Sequence, residues 1–329
     1  MCSEVLDLRA IAELETGHDE RALADVELAL RLADAIRTEP ILISQLVRIA
    51  MIDRATQPVW EGLASQRWTT PQLEALQQKF QAMNFLADYV LAMRGERVMF
   101  SEEMREVADA RLKSPVTQFL LDVCWPGSWE SNDRLVASLY IALAPRGWFY
   151  WNRIFYAEEI RQQLIVPVNP EAQTVNLEQF DHEQVIRDLH QKAHNLLAAR
   201  VLAEFLKFPF LKMNHCILKS VRAQTVANLA SLGCALERYR RAEGQFPETL
   251  ELLKPRFMDK LPQDLINRQP LKYHRTPDGQ FVLYSVGPDG KDDGGAYPVT
   301  QPAQTDSNSR PGDDRTAEEG DWVWRYPAK

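Results

Sequence analysis

The chain has 329 residues, of which 45% are hydrophobic and 26% are charged, and this ordinary globular mixture excludes a disordered or fibrous protein. Acidic residues outnumber basic ones by 46 to 38, which argues against nucleic-acid binding because that function needs a basic surface. No window approaches the roughly 18 uninterrupted apolar residues of a membrane-spanning helix, and no signal peptide is visible at the start. The length indicates about two domains.

The first two-thirds of the chain has the apolar periodicity of helices. We predict helices over 6–14, from 19 to Pro40, and over 41–63, 70–93, 102–112, 115–124, 152–166 and 181–208. Pro209 is expected to end the last of these, since proline lacks the backbone donor that a helix interior needs. A turn is expected at 125–129 and a loop at 167–173.

The segment 5–39 is predicted to form a helical hairpin. It resembles a single tetratricopeptide repeat, with Gly17, Ala22, Val26 and Ala29 in matching places. No second copy follows about 34 residues later, although such repeats need several neighbours to close a core. A peptide-binding protein of the tetratricopeptide type is therefore an alternative interpretation of the helical region.

The character of the chain changes near residue 214. A long helix is predicted from there to Gly244, followed by a short helix at 248–253 and by three alternating runs at 271–274, 281–285 and 322–324. Asp278-Gly279 between the first two runs is a strong hairpin signal. The predicted fold is therefore α+β, with an α-helical domain at 1–213 and a long helix plus a small antiparallel sheet at 214–329.

Two groups of side chains in the helical region are candidates for chemistry. His190 and His194 lie four residues apart on one helix face, with His182 two turns earlier, which is compatible with a metal-dependent hydrolase but is more typical of hydrogen-bonding residues. Aromatic residues are dense between 125 and 156, and this density favours a packed core over a sugar-binding or membrane-interface surface. The aromatic group comprises Trp125, Trp129, Trp148, Phe149, Tyr150, Trp151, Phe155 and Tyr156.

Negative charge is concentrated near the C-terminus, where residues 286–321 carry six of the eight excess negative charges. Half of this net charge is on a polar segment, 296–319, which is predicted to be a flexible insertion. Most of the other half lies in a glycine-rich loop that directly follows the run 281–285. Carboxylates and free carbonyls in such a loop suit Ca²⁺, although the spacing is not that of an EF-hand and a solvated acidic turn is an equal alternative.

Several landmarks occur in a recognisable order. A helix ending Tyr239-Arg240 leads to a Gly-Gln-Phe-Pro turn at 244–247, a Leu-Pro-Gln-Asp turn at 261–264, and a strand entering the acidic loop at 281–290. This region resembles the globular domain of the major pseudopilin of type II secretion systems. The whole chain is similar to uncharacterised bacterial proteins that join a helical region to a pseudopilin-like tail.

The resemblance implies a structural Ca²⁺ site, and we favour a non-catalytic protein over the metal-dependent hydrolase. The resemblance implies side-chain ligands at Asp289, Asp293 and Asp321, with Asp292 as a neighbouring candidate, and carbonyl ligands at Ser285 and Val286. It also implies an extracytoplasmic location in the cell envelope, linked to secretion. On this basis we expect a binding or assembly protein that meets a protein partner through its helical domain.

Overall fold

The computed structural model describes residues 2–115, 117–118, 138–139, 141–177, 197–295 and 320–325. Most of these residues are helical, and small antiparallel sheets occur towards the C-terminal end, which confirms the α+β class. The principal helices are α1 (Cys2–Glu15), α2 (Asp19–Ala35), α3 (Leu42–Ala64), α4 (Thr70–Gln81), α5 (Phe85–Ala110), α6 (Arg146–Ile160) and α7 (Leu197–Glu243). The strands are β1 (Val168–Asn169), β2 (Thr174–Val175), β3 (Lys272–Arg275), β4 (Phe281–Ser285) and β5 (Trp322–Arg325).

The chain divides into two compact units. One comprises Met1–Arg37, Leu46–Phe85 and Leu218–Lys329, and the other comprises Thr38–Gln45 and Leu86–Ile217. The division into domains at 213/214 stays a prediction. No helix among the described residues is both long enough and apolar enough to cross a lipid bilayer.

Two helices, α1 and α2, occupy the segment for which a helical hairpin was expected. They pack through small and branched apolar side chains, among them Ala10, Ala22 and Val26, which are fully buried. The Arg9 guanidinium on α1 forms a salt bridge with the Asp25 carboxylate on α2. The likeness of this pair to a tetratricopeptide repeat stays a prediction.

The expectation of a single helix over 70–93 is wrong, because α4 ends at Gln81 and α5 begins at Phe85. The buried side chain of Gln224 on α7 bridges the break. Its Oε1 accepts a hydrogen bond from the backbone N–H of Phe85 at 2.8 Å, and its Nε2 donates to the carbonyl of Met83 at 3.2 Å. A residue far along the chain thus satisfies backbone groups that a helix end leaves unpaired.

We expect Gln224→Met to destabilise the protein by about 1–3 kcal/mol, because methionine keeps the volume but leaves two buried backbone groups unpaired. Gln78→Met, at an exposed position of α4, is the matched control and should change stability by less than about 0.5 kcal/mol. Urea denaturation of both variants measures the difference. Equal stabilities would show that the break between α4 and α5 does not depend on Gln224.

The predictions that Pro209 ends a helix and that a new one starts at 214 are also wrong, since α7 runs without interruption from Leu197 to Glu243. An internal proline costs a helix about 3 kcal/mol. Beyond Pro209, α7 buries a long apolar face that includes Ile217, Val221 and Leu232, and the burial of that face outweighs the loss.

Helix α6 carries part of the aromatic group for which a packed core was expected. Phe149 and Tyr156 are buried, and the Tyr156 ring stacks on Phe100 of α5 at a centroid distance of 3.5 Å. Tyr150 and Trp151 are about half exposed, so the core interpretation is wrong for them. The physical reason is that an aromatic run covers every face of a helix, whereas only one face of α6 is buried. Trp125 and Trp129 lie outside the described residues.

The three predicted C-terminal strands form one antiparallel sheet in the order β3–β4–β5. The Asp-Gly turn connects β3 to β4, with Gly279 at a φ of +78° as a tight hairpin requires. Strand β4 lies in the centre, and all five of its residues are buried. Phe281, Leu283 and Trp324 join the apolar core with residues of α7 such as Leu236.

Candidate metal centre

The acidic loop begins where β4 ends, and the register of the sheet determines which residues before β5 lie opposite the start of the loop. Ser285 pairs with Trp322, so one further step places Val286 opposite Asp321 and Gly287 opposite Gly320. Gly287 has a φ of +66°, and any Cβ there would collide with the carbonyl oxygen of Gly320. The close approach of these two backbones therefore needs glycine.

Asp321 is the most informative residue of the site because its carboxylate is buried, with only 5% of the residue exposed. Its Oδ2 accepts a hydrogen bond from the backbone N–H of Gly295 at 2.8 Å. Its Oδ1 is buried and has no hydrogen-bond partner among the described residues. Burial raises the pKa of Asp321, and repulsion from Asp293 and Asp292 adds to the rise, while the backbones of Gly295 and Asp293 oppose it.

Asp293 is the loop acid that lies next to Asp321. Its Oδ2 is 3.9 Å from where a Cβ would stand on Gly320, the residue immediately before Asp321. Asp293 is exposed to solvent. Residues 28 positions apart in sequence thus bring two carboxylates to one end of β4.

The other two predicted carboxylates are engaged elsewhere. Asp289 is exposed, and its Oδ1 accepts a hydrogen bond from the backbone N–H of Lys291 at 3.1 Å, which closes a local turn. Asp292 points to the sheet, where its Oδ1 accepts the hydroxyl hydrogen of Tyr284 at 2.8 Å and its Oδ2 lies 3.1 Å from the Lys272 ammonium. These donors lower the pKa of Asp292.

Ser285 and Val286, the predicted carbonyl ligands, are both buried at the end of β4. The backbone N–H of Val286 donates to Oδ2 of Asp264 at 3.0 Å, and the N–H of Ile266 donates to the other carboxylate oxygen at 2.9 Å. Asp264 is itself buried and therefore holds the strand end next to the loop. The ligand roles of Ser285 and Val286 stay predictions.

Sequence reasoning missed the supporting residues Asp264, Lys272 and Tyr284. Asp264 stands in the Leu-Pro-Gln-Asp turn that was noted as a landmark, but nothing in that turn indicates a bond to Val286, 22 residues later. The alternating runs predict only that Lys272 and Tyr284 lie in strands. The predicted hairpin already implied that these two residues pair across the strands, and this pairing could have indicated that they act together.

Among the described residues, no three His, Cys, Asp or Glu side chains lie close enough together to hold a metal ion. His182, His190 and His194 lie outside the described residues, so the predicted hydrolase site stays a prediction. Two carboxylates with neighbouring backbone carbonyls fit a hard cation such as Ca²⁺, which accepts carbonyls and waters as ligands, better than a transition metal. The buried Oδ1 of Asp321, which has no hydrogen-bond partner in the described part of the chain, is the atom that such an ion would satisfy.

Comparisons of the chain with protein-family models, with curated proteins and with solved structures found no match.

Proposed function

We propose that this chain is a non-catalytic binding or assembly protein whose pseudopilin-like C-terminal region is stabilised by one Ca²⁺ ion. The observation that carries the proposal is the buried Asp321 carboxylate, whose Oδ1 meets no donor in hydrogen-bond geometry among the described residues and which has Asp293 beside it. Leaving a buried carboxylate oxygen without a partner is costly, and a divalent cation removes that cost. The resemblance to pseudopilins would place such a protein in the cell envelope.

The arrangement of the C-terminal elements supports the resemblance. A long helix, α7, is followed by a short 3₁₀ turn at Leu250–Leu253 and then by the antiparallel sheet β3–β4–β5. The acidic loop follows the central strand, and the residue next to the last strand is the buried Asp321. This is the order that the pseudopilin landmarks imply.

The helical region supports a binding role through an exposed apolar surface on one unit. On α6, Trp151 and Ile154 are 50% and 72% exposed, and Trp151 stacks on Phe155. Large apolar side chains that are exposed together on one helix are typical of surfaces that meet another protein. We propose a protein partner for this surface.

The test of the calcium proposal is a comparison of thermal unfolding in 10 mM CaCl₂ and in EGTA. With a dissociation constant of about 10⁻⁴–10⁻³ M, typical of extracellular modules, the ion should add about 1.4–2.7 kcal/mol and raise Tm by several degrees. Identical unfolding curves would overturn the proposal.

Asp321→Asn should lose most of this calcium response, because it removes the buried charge that faces the ion. Asp259→Asn removes the same charge from an exposed position outside the loop and should keep the full response. A similar loss in both variants would indicate general charge screening instead of a site.

A further inference from the structure

Asp292 is held on the sheet by donors from two strands. Lys272 of β3 and Tyr284 of β4 are direct partners in the antiparallel ladder. The Tyr284 hydroxyl donates to Asp292 Oδ1 at 2.8 Å, and the Lys272 ammonium lies 3.1 Å from Oδ2. The backbone N–H of Gly294 also donates to Oδ1, at 3.1 Å. Both oxygens of this carboxylate are therefore occupied by the protein itself.

A second anchor holds the loop three residues further on. The backbone N–H of Gly295 donates to Asp321, and Gly295 packs flat on β4. A Cβ on Gly295 would lie 2.7 Å from Cγ1 of Val282 and 2.9 Å from Cδ1 of Tyr284, so no larger residue fits there. The loop is thus fastened to the sheet at Asp292 and at Gly295.

Asp293 lies between the two anchors and is the loop acid left beside Asp321. Because residue 292 is turned to the sheet and residue 295 is bound to Asp321, the chain between them has little freedom to move Asp293 away from Gly320. The Lys272 ammonium also offsets part of the charge of Asp292, which reduces the repulsion between Asp292 and Asp293.

We propose that Lys272 and Tyr284 are positioning residues of the calcium site: they hold Asp292 on the sheet and thereby direct Asp293 to Asp321. The proposal rests on the calcium-binding function proposed above and gives Asp292 an indirect role. For the removal of the Lys272 charge, the proposal predicts a change in calcium affinity opposite in direction to the one that simple electrostatics predicts. Removing the Lys272 charge should strengthen cation binding by Coulomb's law, whereas loss of positioning should weaken it.

The experiment is calorimetric titration of the full chain with CaCl₂ in metal-free buffer. Tyr284→Phe and Lys272→Met should each weaken calcium binding about 3- to 10-fold, because each removes one donor to a charged carboxylate. Lys291→Met is the matched control, since it removes the same charge from an exposed side chain of the same loop, and it should bind calcium equally or more tightly. Unfolding curves in EGTA check that each variant is folded.

A double-mutant comparison separates positioning from a general effect on the fold. In the Asp292→Ala background, Tyr284→Phe should cause no further loss of calcium affinity, because its only route to the site has been removed. Additive losses would overturn the proposal, and so would a Lys272→Met variant that binds as tightly as Lys291→Met. A wild-type chain that binds no calcium would overturn the calcium function itself, whereas wild-type binding with unchanged variants would overturn only the positioning role.

Discussion

Replacing Gly287 with alanine is expected to destabilise the protein by about 3 kcal/mol and to reduce its response to calcium. The φ of +66° at this residue costs an L-residue about 1–2 kcal/mol. In addition, the new Cβ would collide with the carbonyl oxygen of Gly320, so β4 and the residue before Asp321 would have to move apart. The same movement would displace Asp321 from Gly295.

Gly290→Ala is the matched control because Gly290 has nearly the same φ, +69°, but has open space where a Cβ would stand. Gly290→Ala should cost only the conformational part, about 1–2 kcal/mol. Urea denaturation of both variants in EGTA measures the difference, and repeating it with CaCl₂ measures the calcium response. Equal losses in the two variants would mean that the contact between Gly287 and Gly320 does not contribute.

Trp324→Ala is expected to cost about 3–5 kcal/mol, the usual loss when a large aromatic residue is removed from a core. Trp324 is 5% exposed, and its ring packs closely against Gly233 of α7, beside Leu63 of α3. Strand β5 has only four residues, so this side chain supplies much of the apolar area that holds the strand in place. Loss of the strand would also remove Asp321 from the acidic loop.

Trp151→Ala removes the same side chain from a position that is 50% exposed and should cost less than about 1 kcal/mol. Trp324→Phe should be intermediate, because the Trp324 Nε1 has no hydrogen-bond partner among the described residues and its replacement loses only volume. Thermal unfolding of the three variants tests the order. A Trp324→Ala protein as stable as Trp151→Ala would show that β5 is held mainly by its backbone.

The sequence predicted those parts of the candidate site that lie within one continuous segment of the chain. The glycine-rich loop with Asp289, Asp292 and Asp293 is evident from composition, and the resemblance to pseudopilins added Asp321. The sequence could not distinguish these acids from one another, because their roles depend on what each one faces. Asp292 faces Tyr284 and Lys272, whereas Asp321 faces the backbone of Gly295.

The sequence by itself determined the elements whose signals lie within a few residues, such as the Asp278-Gly279 turn, β4 and the helix start at Thr70-Pro71. Only the tertiary structure decided where α4 stops and how far α7 continues. Gln224 satisfies the backbone groups of Met83 and Phe85 from about 140 positions along the chain, and buried packing beyond Pro209 outweighs a local preference of a few kcal/mol. Local preferences are weak compared with such contacts, and contacts between distant residues exist only once the chain has folded.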